Sequence, residues 1–195
     1  LIRKNIDRRV RKTKQQLQTG LAQLLLQKNI DKITVSELSD LVDINRGTFY
    51  LHYKDAFDML DQIENEIFED FCAILNRYAS NVIECNTRLF IIDMFHFIAK
   101  NEEMMHFIVS EPGDRAFLTR LKTAFKEKFL KHWMEKNHTE SSIEVEYIYS
   151  YLLSGCMGLM IQWLKTGMKE PPEQIAKLTE IIILKGLSSF ETQIL

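Results

Sequence analysis

The sequence predicts an all-α protein, with a short three-helix segment over residues 1–56 and longer helices over residues 57–195. Apolar residues recur at helical spacing along most of the chain, and no period-2 run of β-branched residues bounded by turn dipeptides competes with them. Seven Gly and three Pro leave long stretches uninterrupted. Cap residues stand where the periodic segments begin. At 195 residues and 46% hydrophobic content, the chain can build one good core or two small ones sharing a boundary.

The first helix is read over Arg8 to Lys28, with Val10, Leu17, Leu21, Leu24 and Leu25 on one face and Lys and Gln opposite. "NIDKI" interrupts it. Thr34 with Glu37 forms a capping box for a short second helix whose apolar face is Val35, Leu38, Leu41 and Val42. "DIN" breaks the chain again, and Asn45 caps a third helix with Arg46, Gly47 and Thr48 in its first turn. Two short helices joined by a three-residue turn and braced by a longer one form a helix-turn-helix layout.

Beyond Asp55 the helices lengthen. Ala56 to Tyr78 is expected to bury Phe57, Leu60, Ile63, Ile67, Phe71 and Leu75. Helices follow near Asn86–Ala99 and Glu102–Val109, and Asp114 in "EPGD" caps one running to about Lys136. Ser141 and Glu144 make a second capping box for a helix to about Thr166, apolar nearly all round and therefore covered on more than one side. Pro172 opens the last helix, which carries Ile175, Leu178, Ile181, Ile182 and Leu187.

Composition narrows the classes. Cys72, Cys85 and Cys156 are odd in number, widely spaced and without C-x-x-C, which fits a reducing compartment and not a disulfide framework or zinc ribbon. "LIRKNIDRRVRKTK" has no apolar core, so a secretory signal is not expected there. "YIYSYLLSGCMGLMIQWL" is too short and too polar to span a membrane. A cytoplasmic protein with no membrane partner is expected. Residues 1–56 hold eleven Lys/Arg against six Asp/Glu, while the remainder holds fourteen against twenty-one. A basic first quarter on an acidic body suits a chain that meets a polyanion at one end.

The stretch "DINRGTFYLHYKD" reads as a helix of about three turns with unusual polar chemistry. Phe49 and Tyr53 share a face and pack inward; Arg46, Tyr50 and Lys54 form a second stripe, with Gly47 and Leu51 beside it. Arg is the preferred reader of guanine O6/N7 in a major groove, and Thr48 suits a base edge or a thymine methyl. Tyr50 and Lys54 offer phosphate contacts, and Thr34 and Ser36 at the start of the second helix add an anion site.

These residues, "TVSELSDLVDINRGTFYLHYKD" followed by "AFDML", resemble the DNA-binding domain of the TetR/AcrR family of bacterial transcriptional regulators. That family's recognition segment runs Gly-Val-Ser-x-x-x-Phe/Leu-Tyr-x-His-Phe-x-x-Lys, and the match spans residues 9 to 57. The resemblance assigns the base-reading turn to Arg46, Gly47 and Thr48, a phosphate-binding role to Tyr50, the family's His to His52 and its helix-start Thr to Thr34. Two positions depart from the pattern. Asp43 replaces the usual Gly before the turn, and Ala56 replaces the lysine that opens the fourth helix, leaving Lys54 as phosphate ligand.

"YLLSGCMGLMIQWLKTGMKEPPEQIAKL" looks like one branch of that family's effector domains, in which a Gly-containing helix and the final helix form a four-helix bundle with a second copy. Tyr151, Gly155, Gly158, Ile161, Leu178 and Ile182 are the residues expected at a homodimer interface. An apolar effector pocket is expected around Phe71, Met94, Phe97 and Phe107. No H-E-x-x-H, Gly-rich phosphate loop or G-x-S-x-G occurs, so no metal, cofactor or enzymatic activity is expected. His96 and His106 are expected in apolar surroundings, with His132 and His138 near a loop. The resulting expectation is a dimeric repressor of a palindromic double-stranded DNA operator, released by an unknown small-molecule effector. The alternative is a TetR-like activator or co-regulator whose C-terminal domain binds a protein partner.

Overall fold

The computed structural model describes residues 2–78, 87–110, 113–130 and 143–194. The described residues are helical and contain no strand: α1 (Ile2–Leu25), a 3-10 turn (Ile30–Lys32), α2 (Val35–Leu41), α3 (Arg46–Tyr50), α4 (Ala56–Tyr78), α5 (Thr87–Lys100), α6 (Glu102–Ile108), α7 (Arg115–Phe125, continuing as a π-helical turn Lys126–Leu130), α8 (Ile143–Lys165) and α9 (Pro172–Ile194). Ser141, Cys85, His132, Met134 and His138, and with them the second capping box and the end of the helix expected to reach Lys136, lie outside the described residues. The chain divides into two compact units, one of Leu1–Glu69 with Asn101–Thr119 and one of Asp70–Lys100 with Arg120–Leu195.

In the first unit, α1 buries Leu17, Leu21, Leu24 and Leu25, the stripe expected from its periodicity. α2 adds Leu38, α3 adds Phe49, and α4 adds Met59, Ile63 and Ile67. α6 lies along α1, contributing Met104, Met105, Phe107 and Ile108 to the core, and Glu103 accepts a hydrogen bond from Thr19 Oγ1 at 3.2 Å. Gly20 sets how closely α1 and α2 approach. A Cβ there would collide with a Val42 methyl and lie 3.1 Å from Leu38 Cδ1. Gly113 has the same role at the α6–α7 turn, where a Cβ would run into the carbonyl oxygens of Phe107, Ile108 and Ser110.

The second unit is tied by rings and ion pairs. Phe95 meets Trp163 edge-on at 5.1 Å, and Trp163 Nε1–H donates to the Glu170 carbonyl at 2.9 Å. Phe90, Phe125 and Tyr149 stack in sequence at 6.2 and 6.3 Å. α5 and α9 are bridged by Arg88–Glu180 at 2.7 Å and His96–Glu173 at 3.0 Å. α8 ends in a Schellman motif: Gly167, at φ 75°, donates to Leu164 O, and Met168 donates to Trp163 O.

Several expectations change. Phe57 is 55% exposed, because the buried stripe of α4 runs through Ala56, Met59 and Ile63 and leaves its neighbour facing outward. Leu41 is 48% exposed, so Leu38 alone is the core anchor of α2. His96 lies at the surface within hydrogen-bond reach of Glu173, not in apolar surroundings. α8 is not covered all round within one chain: Tyr147 and Tyr151 are 69% and 66% exposed, and only Val145, Trp163 and Leu164 are buried among its described residues.

Filling the space at Gly20 tests the α1–α2 contact. Gly20→Val gains at most about 1 kcal/mol of helix propensity and forces a stiff methyl into Val42, which costs about 1–3 kcal/mol or more. The expected result is a lower urea midpoint with an unchanged denaturant slope.

Candidate nucleic-acid interface

The recognition segment is built from two caps and one anchor. Thr34 Oγ1 accepts the Glu37 N–H at 3.2 Å, which is half of the expected capping box. The other half is replaced. Glu37 turns its carboxylate to Lys28, whose ammonium donates to both oxygens at 2.5 Å and ties the end of α1 to α2. After Leu41 the chain reverses through Asp43 at φ 53°, with Asp43 N–H donating to Asp40 O and Ile44 N–H to Ser39 O. This too is a Schellman motif, with Asp43 at the left-handed position that glycine normally takes. The family's preference for Gly at this position therefore has a backbone cause, and Asp is among the few residues that tolerate it.

Asn45 then caps α3, its Oδ1 accepting Gly47 N–H at 2.7 Å. α3 is shorter than the three turns expected: it runs Arg46–Tyr50 and closes on Leu51. Phe49 is fully buried and points the helix, with Tyr50 edge-on at 5.6 Å and Tyr53 tilted at 5.7 Å. Tyr53 is buried as expected, and burial, reinforced by the charges of Glu66 and Asp58, pushes its phenol up to about 12. Lys14 Nζ lies over its ring at 5.7 Å.

With Phe49 and Tyr53 inside, the opposite surface carries Arg46, Gly47, Tyr50, Leu51 and Lys54, all exposed, with Thr48 and His52 half-buried. Tyr50 and Leu51 are 59% and 80% exposed. Lys54 does not continue the α3 stripe; it sits in the link to α4, where its backbone N–H donates to Asp58 Oδ2 at 2.9 Å. Asp58 N–H in turn donates to Asp55 Oδ1 at 2.8 Å, so these two bonds set the start of α4 where the family's lysine is replaced by Ala56. The hydrogen bonds from Lys54 N–H and Gln62 hold the Asp58 carboxyl below the usual carboxylate range.

Arg46 Nη2 donates to Ser36 Oγ, and Ser36 Oγ donates to Asp40 Oδ2 at 3.4 Å. Ser36 therefore tethers the guanidinium to α2. Asp40, Lys28 and Gly20 also shape the segment, and of these only Gly20 leaves a signal in the sequence, as an isolated glycine inside a helical pattern.

The other expected sites divide between the units. Phe71 and Phe97 pack at 5.9 Å in the second unit, and Met94 is half-buried on the same α5 helix as Phe97. Phe107 belongs to the first unit, where it lines a separate cavity. Gly155 and Gly158 face open space, and a Cβ on either would meet nothing within 4 Å. Tyr151, Leu178 and Ile182 are exposed on the same unit, and Ile161 is half-buried. Among the described residues no group of His, Cys, Asp and Glu could hold a metal ion, and no helix is long and apolar enough to cross a membrane.

Two short capped helices joined by a tight turn, the second standing on the buried Phe49, form a helix-turn-helix. The family model for the transcriptional regulator C-terminal region of TetR proteins matches residues 86–185, and the chain belongs to the TetR family of transcriptional regulators. It is 26% identical over 176 residues to the uncharacterized HTH-type transcriptional regulator YxbF of Bacillus subtilis (strain 168), a match covering 89% of this chain and 45% of that one. It is 22% identical over 181 residues to the HTH-type transcriptional repressor KstR2 of Rhodococcus jostii (strain RHA1), covering 86% and 87%. Its fold is similar to that of the fatty acid degradation regulator FadR from Bacillus halodurans, with a TM-score of 0.57 and 14% identity over 89% of this chain and 95% of that one.

Left-handed backbone costs a non-glycine residue about 1–2 kcal/mol. Asp43→Gly is therefore expected to raise stability by up to about 1 kcal/mol, read as a higher urea midpoint. No change or a loss would show that the Asp43 side chain compensates for its backbone.

Proposed function

We propose that this chain is a DNA-binding transcriptional repressor that acts in the cytoplasm as a homodimer, through a helix-turn-helix within residues 1–56 and an effector and dimerisation region over 57–195. The observation that carries the reading is the outward stripe of Arg46, Tyr50 and Leu51 on a helix whose opposite side is anchored by Phe49. Exposed Arg at a capped helix start reads guanine, the Leu51 side chain and the Thr48 methyl suit thymine methyls, and Tyr50, Lys54 and Thr34 hold phosphates. Ser36 orients Arg46, and Asn45, Gly47 and His52 shape the turn and its flank.

The exposed apolar residues of α8 and α9, beside the open Gly155 and Gly158, support a second copy as the covering layer. Two recognition helices would then enter successive major grooves of a palindrome, about 34 Å apart. A small-molecule effector held near Phe71, Met94 and Phe97 would favour one spacing and release the DNA. The KstR2 relative, named as a repressor, supports repression as the sign. The chain has no catalytic role in this reading.

The two kinds of contact separate experimentally. Arg46→Ala is expected to cost about 1–3 kcal/mol and relax preference at one base step. Lys54→Ala is expected to weaken all duplexes alike and to lower the salt slope by about one. Unchanged affinity and preference in Arg46→Ala would refute the assigned reading face.

A further inference from the structure

The first unit holds a cavity of about 270 Å³ that this reading does not use. Its floor is apolar, formed by Leu25 from the end of α1, Ile30 from the 3-10 turn, Leu60 from α4 and Phe107 from α6. Its rim is polar: Lys28 and Asn29 come from the link after α1, and Asp114 and Arg115 from the start of α7. The volume lies at the small end of ligand pockets, so an occupant is compact.

The rim offers donors. Asp114 Oδ1 is engaged as the cap of α7, accepting Phe117 N–H at 2.7 Å. Lys28 spends two N–H groups on Glu37, and an ammonium has three. Asn29 precedes the 3-10 turn without using its side chain as a cap. Arg115 is exposed and forms no ion pair with a described residue. Lys28 and Arg115 are balanced by Glu37, to which Lys28 is paired, and by Asp114, so the rim carries no net charge, and Arg115 is its cation without an ion pair among the described residues.

We propose that this cavity binds a compact aromatic carboxylate, its ring against Phe107 and Leu60 and its charge on Arg115 and the third donor of Lys28. An inorganic anion would leave the apolar floor uncovered, and a neutral ring would leave the guanidinium unused. Because Lys28 also holds Glu37 in the first turn of α2, an occupant shares that ammonium and perturbs the start of the helix-turn-helix. The proposal stands whether or not the helix-turn-helix binds DNA.

The test is a titration of benzoate into the full chain, without DNA, followed through the backbone amides of Phe107 and Glu37 by NMR. Both amides should shift and saturate together. Arg115→Gln, a surface change that leaves the fold intact, should weaken binding about tenfold or more. Leu60→Phe, which fills the floor, should abolish it, and benzyl alcohol and phosphate should each bind at least about tenfold more weakly than benzoate. Shifts that rise without saturating would overturn the proposal. So would equal binding by Arg115→Gln, or equal binding of benzyl alcohol.

Discussion

Everything the first unit presents outward depends on the burial of Phe49. A helix of five residues cannot sustain itself in water, since nucleation alone costs more than one and a half turns of hydrogen bonds return. α3 exists because Phe49 is fully buried, which is worth about 1.5–3 kcal/mol, and because Asn45 supplies a cap worth about 1 kcal/mol. The direction of that one ring decides where Arg46, Tyr50 and Leu51 point. Leu38 and Gly20 act on the same result from the other side: the first anchors α2, and the second lets α1 come close enough to receive it.

The second unit has the opposite balance. Its interior is well tied by Phe95 on Trp163 and by the stacked Phe90, Phe125 and Tyr149, yet α8 and α9 keep large apolar side chains in water. Tyr147, Tyr151, Leu178, Ile181 and Ile182 on one chain form the kind of surface that a symmetric partner covers. The sparse burial along α8 is a property of the single chain, and the proposed homodimer would supply a second layer over it.

Much of this is legible in the sequence because it rests on local signals. Helical periodicity locates the helices, and Asn45 and Thr34 mark two starts that the structure caps through those same side chains. Spacing alone assigns Phe49 and Tyr53 inward, and both are buried. What escapes is tertiary. Glu37 reads as a local capping partner, but Lys28 takes its carboxylate through a contact that no spacing rule contains. Phe57 reads as core because it is large, whereas the neighbouring Ala56 and Met59 occupy the buried stripe. The sequence overstates the length of α3 because the apolar and polar periods run on through Leu51 and His52 after the helical backbone has ended.

The most direct test of the account is selection of duplexes from a random pool by the full chain, with the enriched sequence retested at two salt concentrations. The expected result is a palindromic sequence with half-sites one helical turn or a multiple apart, bound with a steep inverse dependence on salt. An absence of enrichment, or salt-sensitive binding indifferent to sequence, would contradict it and leave the exposed face of α3 without the role assigned to it.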